Sequence, residues 1–372
     1  MRGLGREEGT RLAARIMTGT RPDTALSAVV CSLGTARLPE TVDSLLAAAR
    51  AAAREVEVIV VWQGEEAPPN LPPGVRVLDV FPVGLSHARN RGLAAARAPI
   101  VAFVDDDELV DVGWAAAALA AFERESRPAA AFGPVEPLDG RGLPYCHLEP
   151  GEPRTFTRRA TPPWVVGTGG NMAFDRATLL ELGGFDLRLG AGAEGRSAEE
   201  TDVIVRLLRR GAAIAWIPKL GVYHPTKDEQ EHLASRFPYG FGMGRVVRKH
   251  RALGLAARYL SMARDLHRLG RRTGDDRRRR EAVGTVRGFL AGALTRVAWR
   301  PPLRAFDWAP VELRGRLAGG RWQPVSVATE PSVRLRYRRG REVLDVWVGP
   351  AGGAAPGTAV AGRDSLWDIV EA

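Results

Sequence analysis

From Leu26 to Val104, short β-branched apolar runs alternate with stretches that have the spacing of amphipathic helices. Four apolar runs have the length and bounding residues of strands, and they lie at 27–31, 56–61, 75–78 and 100–104. Two stretches of helical spacing separate them, at 39–54 and 86–96. Strands and helices that alternate at these lengths predict a mostly parallel sheet covered by helices, which is an α/β fold.

The fourth predicted strand runs directly into Asp105, Asp106 and Asp107. In parallel sheets, ligands bind beyond the carboxyl ends of the strands, which is where these aspartates fall. Three consecutive carboxylates repel one another, so the arrangement calls for a cation or for several hydrogen-bond donors. The alternative is an acidic N-terminus favoured by the dipole of the next predicted helix, at 113–125.

Further along the chain, the segment 129–163 is rich in proline and glycine and gives no clear assignment. A glycine loop at 167–170 then enters a short strand, and a helix at 175–182 ends at Gly183 and Gly184. A helix at 199–210 and a strand at 213–217 follow.

After His250 we expect helices at 251–270 and 281–298, separated by a hydrophilic link at 271–280. A β-hairpin is predicted between 332–337 and 342–348. The predicted regions are a flexible arm at 1–24, the main α/β domain at 25–250, a basic helical segment at 251–300 and a small, partly β C-terminal region at 301–372.

The net charge of +10 is concentrated in one part of the chain. Residues 245–300 hold sixteen Arg or Lys but four Asp or Glu. Such a segment suits an anionic membrane surface or an acidic substrate, or it is simply a solvated helical face. Its arginines are not interleaved with stacking aromatic residues, so no nucleic-acid partner is expected.

No apolar run approaches the ~18 residues of a membrane-spanning helix, and acidic residues interrupt the start of the chain where a signal peptide needs an apolar stretch. We therefore expect a cytoplasmic protein, with peripheral attachment to the inner face of the membrane as a candidate. Cys31 and Cys146 are too few for a disulfide framework and lack metal-binding spacing, so they are expected to be buried or incidental.

Five sequence blocks, in order and at consistent spacing, resemble the family 2 glycosyltransferases, which have the GT-A fold. They are Gly84–Leu93 before the aspartates, Gly169–Phe174, Gly183–Asp186, Ala198–Asp202 with Arg206, and Val222–His224. The resemblance extends from about Ala28 to His250. It implies an inverting sugar transfer from a nucleotide-sugar donor to a glycan, a lipid-linked glycan or a natural product.

The resemblance also implies a role for each member of the aspartate cluster. Asp105 and Asp106 would contact the donor, and Asp107 would bind a divalent cation, Mn²⁺ or Mg²⁺. His224 matches a histidine that approaches the metal or diphosphate in relatives, although a lone histidine is more often structural. Oxygen ligands and a diphosphate suit both cations.

Other positions implied to bind the donor lie around the predicted sheet edge, in loops and in the predicted helix at 86–96. They are Ser32, Arg37, Trp62, Arg89, Asn90, Gly169, Gly170 and Asn171. Arg89 and Asn90 could instead be solvated on a helix, and the two glycines could form a plain turn. Trp62 follows the strand that ends in a base-binding aspartate in relatives, so it could stack on a base or cap the sheet edge.

The catalytic base is expected at Glu200, which occupies the aspartate position of the Glu-Asp motif of the family. An inverting transfer needs a carboxylate that takes the proton of the acceptor hydroxyl. Asp202 is the competing candidate. The alternative is that residues 199–202 only supply acids to a helix N-terminus.

Two other functions remain open at this stage. One is a catalytically lapsed domain that binds nucleotide sugars or glycans as a scaffold, motivated by Glu200 and Trp62. The other is sugar nucleotidyl transfer, which uses a related fold. Enzymes of that class normally have a glycine-rich phosphate loop after the first strand, and this sequence has none there.

Overall fold

The computed structural model describes residues 24–124, 127–140, 152–251 and 255–294, together with the backbone of four strands between residues 315 and 348. The predicted arm, except for Thr24, and Cys146 lie outside the described residues. Residues 1–305 form one compact unit and residues 306–372 form a second.

The first unit contains a central sheet of eight strands. They are β1 (Thr24–Ser32), β2 (Glu55–Trp62), β3 (Arg76–Asp79), β4 (Ile100–Asp105), β6 (Ala130–Phe132), β8 (Arg154–Phe156), β9 (Asn171–Asp175) and β10 (Ile214–Trp216). Their order in the sheet is β3-β2-β1-β4-β9-β6-β10-β8. The four strands predicted from the first hundred residues are confirmed, and they pair in parallel. Strand β9 lies antiparallel between β4 and β6, and β8 pairs antiparallel with β10. The other strand pairs are parallel, so the sheet is mostly parallel, as expected.

A second, three-stranded sheet contains β5 (Leu109–Val110), β7 (Val135–Pro137) and β11 (Val222–His224), in the order β5-β11-β7. Strand β5 begins two residues after Asp107, and β11 pairs antiparallel with it. This sheet therefore brings the end of β11 back to the aspartate cluster. The short strands in the unassigned segment contain few alternating residues, so periodicity could not identify them.

Helices cover both faces of the central sheet. They are α1 (Leu38–Ala51), α2 (Leu85–Ala95), α3 (Trp114–Glu123), α4 (Arg176–Leu182), α5 (Glu199–Arg209), α6 (Glu229–Lys249), α7 (Leu255–Thr273) and α8 (Asp276–Leu294). Side chains of β1 alternate between the two faces, with Val30 packed with α1 and α3 and Val29 packed with α2, α4 and α5. These two apolar layers hold the sheet edge that carries the aspartates.

The C-terminal helices differ from the sequence analysis in two ways. Helix α6 was not predicted, because Pro238 and three glycines interrupt its helical pattern. The hydrophilic link expected at 271–280 is largely helical, since α7 continues to Thr273 and α8 begins at Asp276. The arginine run 277–280 is therefore the first turn of a helix. Residues 252–254, near the start of the first predicted helix, and residues 295–298, at the end of the second, lie outside the described residues.

The second unit contains two antiparallel strand pairs. One pair is β12 (Gly315–Ala318) with β13 (Arg321–Pro324), and the other is β14 (Val333–Arg339) with β15 (Glu342–Val348). The second pair is the predicted hairpin, which is confirmed. Among the described residues, no helix is both long enough and apolar enough to cross a membrane.

Candidate active site

The loop after β1 holds the middle aspartate of the cluster. Because β1 and β4 are parallel and Cys31 lies opposite Asp105, Ser32 is placed beside Asp106. The hydroxyl of Ser32 donates to Asp106 Oδ2 at 2.5 Å, and the hydroxyls of Thr35 and Thr41 donate to its backbone oxygen at 3.0 Å. Burial raises the pKa of Asp106 to about 6, and the neighbouring aspartates add to this, while Ser32 opposes it.

Asp107 and His224 lie at the meeting point of the two sheets. The imidazole Nε2 of His224 is 3.7 Å from Asp107 Oδ2. Nδ1 of His224 lies 2.6 Å from the backbone oxygen of Pro225, which can only accept, so the neutral ring carries its proton on Nδ1 and the lone pair on Nε2. A carboxylate oxygen and an imidazole nitrogen then face each other at a spacing that one cation can bridge.

This donor set fits a divalent cation that completes its coordination with substrate phosphates and water, as Mg²⁺ commonly does. It does not form a closed metal cage. In the described ranges, no group of three or more His, Cys, Asp or Glu side chains is close enough to hold an ion. The residues are thus suited to a cation that arrives with a diphosphate.

Arg89 of α2 joins the aspartate cluster to helix α5. Its guanidinium is 2% exposed and donates to Glu199, to Asp105 Oδ1 at 3.1 Å and to the backbone oxygen of Gly169 at 3.0 Å. Its aromatic contact is Phe185, with the ring centroid 5.7 Å from the guanidinium carbon. Arg89 was expected to contact the donor, but it is buried and bonds three groups of the protein, so its effect on the site runs through Asp105 and Glu199.

Glu108 is a residue of this site that the sequence analysis missed. Its side chain is 1% exposed, and its Oε2 accepts the backbone N–H of Asp105 at 3.1 Å. Burial, followed by the charge of Asp105, raises the pKa of Glu108 well above the usual value, so the neutral form of the carboxyl is favoured here. A fourth acid directly after three aspartates was the available signal, because a run of four carboxylates cannot all stay charged at one strand end.

The glycine loop before β9 packs against these buried groups. A Cβ on Gly170 would collide with the Glu108 carboxyl, and one on Gly169 would lie 3.3 Å from an Arg89 nitrogen. The expected close backbone approach is therefore to protein side chains. Asn171 is fully buried, with its amide bonded to Trp114 Nε1 and to the backbone oxygens of Pro134 and Leu220. This arrangement contradicts the expected donor contact of Asn171, which instead ties the two sheets together.

Helix α5 carries two acidic side chains, Glu200 and Asp202, whose pKa values are shifted in opposite directions. Glu200 is half-buried and accepts a hydrogen bond from the Thr201 hydroxyl at 3.0 Å. Burial and the charge of Glu199 raise the pKa of Glu200 to about 7, against the opposing charge of Arg89. Its charge state therefore changes near neutral pH.

Asp202 is fully buried and ion-paired on several sides. Its carboxylate contacts Arg206 Nε, Lys249 Nζ and His250 Nε2, each at 2.8 Å. Burial alone would raise the pKa of Asp202, but Arg206, Lys249 and His250 hold it well below the usual range. A carboxylate so stabilised in its charged form is a poor proton acceptor, which contradicts Asp202 as the base.

Three remaining candidates lie in α2, at the end of β2 and directly before α1. Asn90 is 5% exposed, and both ends of its amide bond the backbone of Phe185 at 2.8 Å, so its side chain holds the loop after α4 in place. Trp62 is 5% exposed, lies against Gly34 and Gly64, and donates to the oxygen of Glu66 at 2.7 Å. Its ring thus covers the sheet edge, the second of the two expected roles. Arg37 is partly exposed and pairs with Glu40 at 2.7 Å.

The sequence of this chain matches a known protein family over part of its length. Residues 27–183 match the family described as Glycosyl transferase family 2. The chain is 28% identical to the succinoglycan biosynthesis protein ExoM of Rhizobium meliloti (strain 1021) over 239 residues, which is 59% of this chain and 74% of that protein.

Solved structures of two proteins show more distant similarity. The mannosyltransferase PcManGT from Pyrobaculum calidifontis, in complex with GDP-Man and Mn²⁺, is 15% identical with a TM-score of 0.48, over 78% of this chain and 95% of that one. S. aureus TarS 1–349 in complex with UDP-GlcNAc is 21% identical with a TM-score of 0.42, over 60% of this chain and 64% of that one. This match therefore covers less than two thirds of that TarS chain. In a second TarS structure, the match covers 42% of the TarS chain.

Proposed function

We propose that this chain, which contains a glycosyltransferase family 2 domain at residues 27–183, catalyses inverting transfer of a sugar from a nucleotide diphosphate donor to an acceptor hydroxyl. The observation that carries the proposal is that Arg89 bonds both Asp105 and Glu199, the residue that precedes the half-buried, titratable Glu200. One side chain would thus position both the donor side and the acceptor side of the site. A carboxyl with a raised pKa beside such a charged cluster favours catalysis over binding alone.

The donor side is formed by the cluster and the loop after β1. Asp105 and Asp106 would contact the nucleotide sugar, with Ser32 and Thr41 fixing the orientation of Asp106. Asp107 and His224 would hold Mn²⁺ or Mg²⁺. When bound, the cation supplies positive charge that stabilises the departing diphosphate. Arg37, in the partly exposed loop, would lie near the nucleotide.

On the acceptor side, Glu200 would act as the general base. A carboxylate with a pKa near the working pH combines a useful deprotonated fraction with enough basicity to accept the hydroxyl proton. Arg89 and Glu199 would position it, because the buried ion pair fixes the first turn of α5. Thr201 restrains one of its oxygens.

A glycan or lipid-linked glycan acceptor is favoured over a natural product. Support comes from the similarity to a protein named for the biosynthesis of succinoglycan, itself a glycan.

Donor hydrolysis with a panel of nucleotide sugars and Mn²⁺ tests the proposal. We expect release of the nucleoside diphosphate from one or a few donors, and loss of that release on chelation of the cation. Saturable binding of a donor without any release, across the panel and with candidate glycan acceptors present, would favour the scaffold function. Release of pyrophosphate in reactions of a sugar phosphate with a nucleoside triphosphate would favour nucleotidyl transfer.

A further inference from the structure

Helices α6 and α8 pack against each other through glycines on both sides. A Cβ on Gly240 or Gly244 of α6 would collide with the backbone of α8, and a Cβ on Gly284 or Gly288 of α8 would collide with the backbone of α6. The two backbones are therefore in direct contact along this line. One face of α8 is fully used by this contact.

Helix α6 is in turn fixed to the catalytic domain by charged groups. Lys249 Nζ lies 2.6 Å from Asp186 and 2.8 Å from Asp202, and His250 Nε2 lies 2.8 Å from Asp202. Ser197, just before α5, donates to the backbone oxygen of Pro238 in α6 at 3.0 Å. The orientation of α8 relative to the proposed active site is thus set by contacts of the folded chain.

The opposite face of α8 carries apolar side chains that remain exposed. Val283, Val286 and Leu290 are 37%, 43% and 57% exposed, and their spacing places them on one side of the helix. The exposed arginines Arg280 and Arg287 flank them. These five residues are the α8 patch.

An anionic lipid surface matches both properties of the α8 patch. Amphipathic helices that lie in a membrane interface insert apolar side chains while Lys and Arg contact anionic headgroups. The excess of positive charge across residues 245–300 adds long-range attraction to such a surface. No described helix could span the bilayer, so contact in the plane of the surface is the mode that this patch fits.

We propose that the α8 patch docks this protein onto an anionic lipid bilayer. The proposal is independent of sugar transfer, because it needs only the folded chain and the lipid. It also differs from a purely electrostatic attraction, because the apolar residues of the patch contribute.

Flotation of the full chain with liposomes, without donor or acceptor, tests the proposal. We expect binding to vesicles of phosphatidylcholine with phosphatidylglycerol and little binding to phosphatidylcholine alone. Raising the salt from ~0.1 to ~1 M shortens the screening length from about 10 to about 3 Å, so binding should fall steeply. Absence of flotation with the anionic vesicles, or equal flotation with both kinds, would overturn the proposal.

Two double variants, each of which removes two positive charges, test whether membrane binding depends on the α8 patch. Arg280→Gln with Arg287→Gln should weaken binding about 30-fold, because each basic residue near such a surface contributes about a factor of five. The control, Arg50→Gln with Arg124→Gln, removes the same charge from exposed ends of α1 and α3, which cover the other face of the sheet. Equal losses in the two variants would contradict docking through α8.

A second pair tests the apolar contribution. Leu290→Ser should weaken binding about 10-fold, since part of an apolar side chain no longer leaves water. Val112→Ser, at a 64% exposed position before α3, should leave binding unchanged. If Leu290→Ser instead changes the sedimentation mass or lowers the unfolding temperature, the patch is covered by a second copy or by this chain, and the proposal fails.

Discussion

Arg89 and Glu199, which are 110 residues apart in the sequence, form an ion pair in which neither side chain is more than 6% exposed. Arg89 also reaches Asp105 at 3.1 Å, so this pair connects helix α5 to the end of β4. Burial works against the charged form of Arg89, but Glu199 and Asp105 raise its pKa further above the usual value. The charge of this arginine is thus held permanently between the two halves of the proposed site.

Arg89→Met should destabilise the protein by about 3–5 kcal/mol, because Glu199 is left as a buried charge without its partner. Arg89→Met combined with Glu199→Gln should recover much of that stability. The double variant should still transfer sugar poorly, because no side chain then joins Asp105 to the helical turn that carries Glu200. Urea unfolding and a transfer assay on the same preparations separate the two effects. Wild-type turnover in the stable double variant would show that Arg89 is only structural.

Glu200→Gln should lower sugar transfer by roughly 10²–10⁴ while donor affinity changes little, because the amide keeps the size but cannot accept a proton. Asp202→Asn removes a carboxylate that holds Arg206, Lys249 and His250 together, so it should lower the unfolding temperature. Steady-state kinetics and thermal unfolding distinguish them. A well-folded but inactive Asp202→Asn beside an active Glu200→Gln would move the base to Asp202.

Sugar transfer should depend on pH through Glu200. A general base works in its deprotonated form, and the pKa of Glu200 is raised to about 7. The rate at saturating substrates should therefore rise about tenfold per pH unit below pH 7 and level off above it. Glu200→Gln should lose this rise, and a rate already level from pH 5 upward in the wild type would rule out the raised pKa.

Asp107→Ala should remove cation-dependent nucleotide binding and leave the fold intact, because a carboxylate that repels its neighbours is lost. Thermal unfolding with and without Mn²⁺ and nucleoside diphosphate measures this. Asp43→Ala, at an exposed position of α1, is the matched control and should keep the full ligand-induced shift. The metal assignment fails if Asp107→Ala keeps that shift as well.

Gly170→Ala should lower both stability and transfer, because the added Cβ collides with the buried Glu108 carboxyl that holds the backbone of Asp105. Overpacking a buried site typically costs about 1–3 kcal/mol. Gly113→Ala, at the start of α3, meets no atom within 4 Å and should be close to neutral. Equal unfolding temperatures for the two variants would contradict the packing role of Gly170.

The sequence by itself determined the α/β class, the first four strands and their helices, and the position of the aspartates at a strand end. These features are local: apolar runs of strand length, helical spacing and turn residues act within a few positions of one another. The C-terminal hairpin was predictable for the same reason. Helix α6 was not, because Pro238 and the glycines oppose a helix locally, and the reason for Gly240 and Gly244 is their packing against α8.

The candidate functional residues also divide into those that the sequence identified and those whose contacts only the fold showed. Their positions in the sequence identified Asp105, Asp106, Asp107, His224 and Glu200 as candidates, and their roles stay predictions. Only the tertiary structure showed that the side-chain amides of Asn90 and Asn171 form hydrogen bonds with backbone groups, and that Arg89 pairs with Glu199.

The same limit explains the contrast between Glu200 and Asp202, which stand two residues apart in one helix. Sequence spacing places them on different sides of α5 but cannot say what each side meets. Lys249 and His250, contributed from the end of α6, stabilise the charge of Asp202, whereas burial and Glu199 disfavour the charge of Glu200. The proton affinity of a carboxyl depends on charges and solvent within a few ångströms, and those neighbours are brought together only by the folded chain.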